Sequence, residues 1–195
     1  RYNHSEIIEA VFRRTRVTVA VMTAAKLLSA VEPIIRYQRQ RFRGGNVGPG
    51  SPRYDLGLQG KEDAVHRLVD VWAMGEAATS LGFAAARAFD VFDPLERQKN
   101  ELLAARGIRG GRAEMKALRE VEKKALELIE MEALPAEKRN AARYEELKND
   151  PLVQYVLLDA ETNVLCPASK LWCGFGANAM RDAVSLMGGY GITED

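Results

Sequence analysis

Three long segments of the chain repeat apolar residues with the 3.6-residue period of an amphipathic helix. The first predicted helix covers about residues 5–42, and the second covers about residues 61–92. A third long helix is predicted from Cys166 onward, with residues 151–165 contributing its first turns. The predicted buried side of the first helix comprises Ile8, Val11, Phe12, Val19, Met22, Leu27 and Val31.

Glycine and proline mark the expected breaks between these helices. Residues 44–60 contain six glycines and two prolines, which predicts a loop. Pro33 lies inside the first helix and is expected to kink it, because proline removes one backbone donor. The Asp93-Pro94 pair is expected to end the second helix, and Pro167 fits best near a helix start.

Residues 95–150 form a charged segment between the second and third long helices. Within it, one narrow apolar stripe is flanked by charges of both signs, a pattern typical of a helix that packs on one side only. We therefore predict an inserted charged helical hairpin, in which residues 119–134 form a largely exposed helix. The stripe consists of Met115, Leu118, Ala125, Leu128 and Ile129.

Composition favours helices and narrows the function classes. The chain is 47% hydrophobic but only 7% aromatic, which favours helix over sheet. Its formal charge is +1, which gives no indication of nucleic-acid binding. Cys166 and Cys173 with two histidines make a zinc site improbable, so two buried free thiols in a reducing compartment are expected. We predict neither a signal peptide nor an apolar run of spanning length.

The C-terminal string has the most specific pattern in the chain. It reads Asp182-Ala183-Val184-Ser185-Leu186-Met187-Gly188-Gly189-Tyr190-Gly191, so that a helical pattern ends in three glycines within four residues. Such a turn allows the backbone to approach a ligand closely. The string resembles the C-terminal signature of the acyl-CoA dehydrogenases, in which it closes a long helix and meets FAD.

A second block is similar to the same family. The segment from Tyr37 to Gly45 reads YQRQRFRGG and is similar to the family pattern Tyr-x-x-x-Arg-x-x-Phe-Gly at the end of an earlier long helix. The resemblance places Arg39 and Phe42 at the family's flavin-contacting positions, with Arg41 between them. A guanidinium suits a pyrophosphate because it donates hydrogen bonds in a planar fork.

The resemblance covers residues 12–92 and 165–195, and it implies an all-α, up-and-down four-helix bundle with the insertion at residues 95–150. Its implied FAD-binding residues are Arg39, Arg41, Phe42, Ser185, Gly188 and Gly189. Ser185 stands where the family often has Gln. The family's N-terminal helical domain and middle β domain are expected outside this chain, which then represents the C-terminal domain of a longer enzyme.

The resemblance also implies a reaction, the α,β-dehydrogenation of an acyl-CoA with transfer of electrons to an electron-transfer flavoprotein. The usual catalytic Glu is expected beyond Asp195. A minority of the family place it early in the first helix, where Arg13 stands here and Glu9 lies one turn away; a dipole-complementing role for Glu9 is the simpler interpretation. We expect a homodimer or homotetramer with no metal, in the cytoplasm or, in a eukaryote, the mitochondrial matrix.

Two other functions fit the same residues. One is a flavin-dependent oxidase or monooxygenase with the same fold, and the other is a non-catalytic helical subunit used for assembly. The role of the insertion, the acyl-chain specificity and the electron acceptor have no signal in the sequence.

Overall fold

The chain is all-α. The computed structural model describes residues 4–41 and 48–192, of which 88% are helical, and no strand occurs within these ranges. The prediction of an all-α fold is confirmed, and a helical bundle is compatible with it. The α-helices are α1 (His4–Gln40), α2 (Pro52–Asp55), α3 (Glu62–Ala105), α4 (Gly111–Glu132), α5 (Ala141–Lys148) and α6 (Pro151–Ser185). Short 3-10 turns cover Gly57–Gly60, Ala136–Lys138 and Gly188–Ile192.

The chain divides into two compact units. Unit 1 comprises Arg1–Ala84 and Cys166–Asp195, and unit 2 comprises Ala85–Leu165. The predicted insertion at residues 95–150 lies within unit 2, whose bounds extend past it on both sides.

In unit 1, α1, α3 and α6 pack on one another through apolar and small residues. The Cys173 thiol donates to the Ala20 carbonyl at 3.3 Å, across a separation of 153 residues, and Tyr37 contacts Tyr190 at the same separation. Because both contacts have the same sequence separation, α1 and α6 run parallel. By contrast, Gly82 lies against Val21 and Gly75 lies against Leu28, so α3 runs antiparallel to α1. The central cluster consists of Leu27, Ile34, Leu68, Val71 and Ala183.

The predicted buried side of α1 is only partly correct. Leu27 is fully buried, but Ile8, Val11, Phe12, Val19 and Met22 are exposed. The buried stripe consists instead of Val17, Ala20, Ala24, Leu27, Ile34 and Gln38. The small residues of this stripe are weak hydrophobic signals, although they allow the helices to approach closely. α1 thus carries two apolar lines, of which one is packed.

Two predictions from proline are wrong. α3 continues through Pro94 to Ala105, and Pro167 lies in the interior of α6 rather than near its start. Each proline removes one donor and leaves a carbonyl four residues earlier without its helical partner. Both prolines, and Asp90 and Asn163 at those earlier positions, are exposed, so water can satisfy the carbonyls. α1 also continues through Pro33, and the kink predicted there stays a prediction.

Unit 2 has a hydrophobic core of its own, to which the helix predicted at residues 119–134 contributes three side chains. Ten of these sixteen residues are exposed, as expected, so only a narrow face of the helix is buried. Val121, Ala125 and Leu128 of α4 are buried in it. Among the predicted stripe residues, Met115 and Ile129 are exposed instead. Because α4 meets α5 and the start of α6, its narrow stripe has a partner surface within the unit. The core cluster consists of Val121, Ala125, Leu128, Leu147, Leu152 and Val153.

Two ion pairs reinforce unit 2. Lys99, whose side chain is only 7% exposed, donates to Glu114 at 2.6 Å and lies 5.0 Å from the centre of the Tyr155 ring. Arg143 donates to Glu127 through Nε at 2.9 Å and Nη2 at 2.7 Å. This forked contact lowers the pKa of Glu127 from its ordinary value, since the guanidinium favours the carboxylate.

Among the described residues, one helix meets the length and composition of a membrane span. Within Ala10–Gln40 of α1, an 18-residue window reaches a mean hydropathy of 1.5, and 22% of that window is buried. No such apolar run was expected from the sequence. Length and composition alone are weak evidence, since core helices of soluble proteins meet the same criterion.

Candidate cofactor site

The two sequence blocks that carry the family resemblance lie together in unit 1. Tyr37, in the last turn of α1, stacks on Tyr190 of the glycine turn, with ring centroids 5.2 Å apart and planes 14° apart. A stacked aromatic pair of this kind contributes about 0.5–1.5 kcal/mol beyond the area that it buries. The contact joins residues 37–41 to residues 188–192, and we call these two segments the candidate site.

The turn Gly57–Gly60 supports the end of α1. Gly57 has a φ of 55°, which L side chains rarely adopt. A Cβ there would overlap the carbonyl oxygen of Gln38 and lie 2.8 Å from that of Arg39. Only glycine permits this approach, which brings Gln59 within reach of Arg39. The Arg39 Nε donates to Gln59 Oε1 at 3.1 Å, and this bond orients the guanidinium.

We expect Gly57→Ala to lower the free energy of unfolding by about 1–3 kcal/mol, because the new Cβ adds backbone strain and collides with α1. Gly60→Ala is the matched control, since Gly60 has no positive φ and open space around its Cβ position. Urea denaturation followed by circular dichroism measures both changes. Equal stability of the two variants would show that the turn is not built on this contact.

Two cations lie at the end of α1. Arg39 and Arg41 are both exposed, and neither forms an ion pair with a described acidic residue. The Arg41 guanidinium carbon lies 5.8 Å from the centre of the Tyr37 ring, so it borders the stacked aromatic pair. The two arginines therefore present positive charge beside the aromatic stack. Phe42, the third predicted residue of this block, lies outside the described residues.

The glycine turn leaves its backbone open. Gly188 has a φ of 60°, and apart from the adjacent chain no described atom lies within 4 Å of the Cβ position of Gly188 or Gly189. A ligand can approach this main chain where a side chain would otherwise project. Ser185, the remaining predicted residue, donates its hydroxyl to the Asp182 carbonyl at 2.7 Å. Its proton is thus engaged within the helix, although its oxygen can still accept a hydrogen bond.

No catalytic base is assigned by the described side chains. Glu9 lies in α1, but its side chain is outside the described part of the chain. In the same helix, Arg14 Nη1 donates to the Ala10 carbonyl at 3.2 Å. Burial raises the pKa of the Cys166 thiol, and the charges of Arg13 and Arg16 oppose this rise. Burial also raises the pKa of Cys173, so both thiols are unreactive near neutral pH. No cluster of three metal-ligating side chains occurs among the described residues.

Sequence reasoning missed two residues of the candidate site. Gln38 is fully buried, and its side-chain amide has no hydrogen-bond partner among the described residues. Its position four residues after Ile34 is the signal that could have placed it on the buried stripe. Gln59 was missed because its role depends on the contact of Gly57 with α1, which no local pattern indicates.

No family model matches this chain, and no curated protein or solved structure matches it significantly.

Proposed function

We propose that this chain is the C-terminal helical domain of a flavin-dependent acyl-CoA dehydrogenase, and that its candidate site binds FAD. The observation that carries the proposal is the Tyr37–Tyr190 stack. It brings together the two segments that resemble the family's flavin-contacting motifs, although they lie far apart in the sequence. The enzyme would contain further domains and pass electrons to an electron-transfer flavoprotein.

The described residues fit an anionic, flat cofactor. Arg39 is exposed and is oriented by Gln59, which suits hydrogen bonding to a pyrophosphate. Gly188 and Gly189 expose backbone that a flat group can approach, and Tyr37 with Tyr190 supplies an aromatic wall. When bound, FAD would supply the acceptor for the hydride from the substrate.

The role of this chain would be binding and orientation. Arg39 and Arg41 would neutralise the phosphates, while the glycine turn would fix the distance between cofactor and backbone. The family resemblance places this site against a flavin held mainly by a neighbouring subunit, so a homodimer or homotetramer belongs to the proposal. The proton-abstracting carboxylate would come from outside the described residues.

The test is to purify the full-length protein and measure bound flavin by its visible absorbance, then add acyl-CoA thioesters of different chain lengths anaerobically. The proposal predicts bound FAD that is bleached by at least one acyl-CoA, and reoxidised by an electron-transfer flavoprotein. Bound flavin that no acyl-CoA reduces would favour an oxidase or monooxygenase. A protein that binds no flavin when FAD is supplied would refute the proposal and favour an assembly role.

Arg39→Ala is expected to weaken FAD binding by about tenfold to hundredfold, which corresponds to the loss of one charge-assisted contact of roughly 1.5–3 kcal/mol. Titration of FAD against the full-length apoprotein measures this change. Arg36→Ala is the matched control, because Arg36 lies one turn away on α1 and is paired with Glu32 at 2.6 Å. The site is misplaced if both variants bind FAD as wild type does.

A further inference from the structure

The second apolar line of α1 has the spacing of a helix-packing seam. Its members are exposed and follow one another at alternating intervals of four and three residues, as the a and d positions of a heptad do. The large apolar members are between 40% and 63% exposed. The line consists of the apolar residues Ile8, Phe12, Val19 and Met22 and the polar residues Thr15 and Lys26.

This line borders a groove between α1 and α6 in unit 1. The groove has a volume of about 470 Å³ and an almost entirely apolar lining. On the α6 side of the groove, Gly176 and Ala177 leave space because their side chains are absent or small. A Cβ at Gly176 would lie 2.9 Å from the Leu27 side chain. The groove is lined by residues that include Val19, Met22, Lys26, Gly176, Ala177 and Met180. A concave apolar surface beside residues at heptad spacing can accept an α-helix, because the side chains of that helix would pack into the groove.

The charges around the groove have one sign. Between residues 10 and 31, α1 contains four basic residues and no acidic one. Lys26 lines the groove, and no described acidic side chain forms an ion pair with it. On α6, Lys170 and Arg181 lie seven residues before and four residues after Ala177, which places them on its face of the helix. A helix seated in the groove would therefore meet cations along both of its edges.

We propose that this groove binds an acidic amphipathic α-helix of a partner protein, with apolar residues at heptad spacing and Glu or Asp at the flanking positions. Apolar side chains of the partner would fill the space between Met22 and Ala177. Its carboxylates would reach Lys26, Lys170 and Arg181 at the rim. The proposal is independent of the flavin site, because it rests on other residues and another ligand.

Two other occupants fit the charges or the shape less well. Pairing α1 with α1 of a second copy would bring arginines near arginines, which opposes association. An anionic membrane would suit the charges, but a flat bilayer does not fill a concave groove between two helices. Charge and shape together favour the acidic helix.

The test uses a labelled synthetic peptide of about three heptads, with Leu at a and d and Glu at e and g, and a second peptide with Lys in place of Glu. Fluorescence anisotropy with the full-length protein measures binding. The proposal predicts that the Glu peptide binds and the Lys peptide does not. Met22→Glu should weaken binding by about tenfold or more, because it puts a carboxylate into the apolar seam.

The matched control is Met115→Glu, which introduces the same charge at a Met of similar exposure in unit 2. It should leave binding of the Glu peptide unchanged. If Met22→Glu is not folded by circular dichroism, Lys26→Glu replaces it, with the same expected weakening. Equal binding by the groove variant and the control would overturn the proposal. The proposal would also be overturned if the wild-type protein is a dimer that Met22→Glu dissociates. It would likewise be overturned if phosphatidylglycerol vesicles bind the protein in a way that depends on Met22 and the Glu peptide does not bind.

Discussion

Leu128→Ala is expected to lower the free energy of unfolding of unit 2 by about 2–5 kcal/mol. Leu128 is 1% exposed and lies at the centre of the unit 2 core, where α4 meets Leu147, Leu152 and Val153. Removing its branched end loses apolar burial and leaves a cavity that the surrounding helices can only partly fill. Urea denaturation followed by circular dichroism measures the change.

The control for this prediction lies two residues away. Leu126 is on the same helix and is 60% exposed, so Leu126→Ala should change the free energy of unfolding by less than about 0.5 kcal/mol. The pair separates core packing from the helix propensity of alanine, which is identical in both variants. Similar losses in the two variants would contradict the packing described for α4.

Glu114→Ala is expected to lower the free energy of unfolding by about 3 kcal/mol, because it leaves the Lys99 ammonium buried without its carboxylate. The Lys99 side chain is 7% exposed and the Glu114 side chain is 23% exposed. Because Glu114 is partly solvated, the expected loss of unfolding free energy lies at the lower end of the range for a broken buried ion pair. The Tyr155 ring, 5.0 Å from the ammonium, compensates only part of the loss. Chemical denaturation at neutral pH measures it.

Two variants test the cause of this loss. Glu120→Ala removes a carboxylate whose pair with Lys123 is exposed on both sides, so it should cost less than about 1 kcal/mol. The double variant Lys99→Met with Glu114→Leu should recover most of the stability, because it removes the buried charge together with its partner. A double variant as unstable as Glu114→Ala would show that the ammonium is not the source of the loss.

The helical class of the fold was predictable because the apolar period is sustained over long segments. The buried face of α1 was not, because large exposed residues such as Phe12 and Met22 produce a stronger signal than the packed Ala20 and Ala24. A period alone does not say which of two apolar lines has a partner. The continuation of α3 through Pro94 could not be predicted from local pattern either, because it depends on the exposure of Asp90 and Pro94 and on the burial of Phe92.

The candidate site was also only partly predictable from the sequence. Motif residues such as Arg39 and Gly188 could be named from the sequence, because the family resemblance marks them. Their proximity could not be derived from spacing, since it depends on α1 and α6 running parallel and on the Tyr37–Tyr190 stack. Gln38 carries no motif, and only its helical spacing from Ile34 indicates that it is buried. Gln59 reaches the site only because Gly57 packs against α1.

The central claim is that residues 37–41 and 188–192 form one flavin-binding surface. Hydrogen–deuterium exchange of the full-length protein with and without FAD tests it most directly, with α4 as an internal reference. We predict that FAD slows amide exchange in both segments together and leaves α4 unchanged. Unchanged exchange in both segments on FAD binding, or protection of only one of them, would contradict the account.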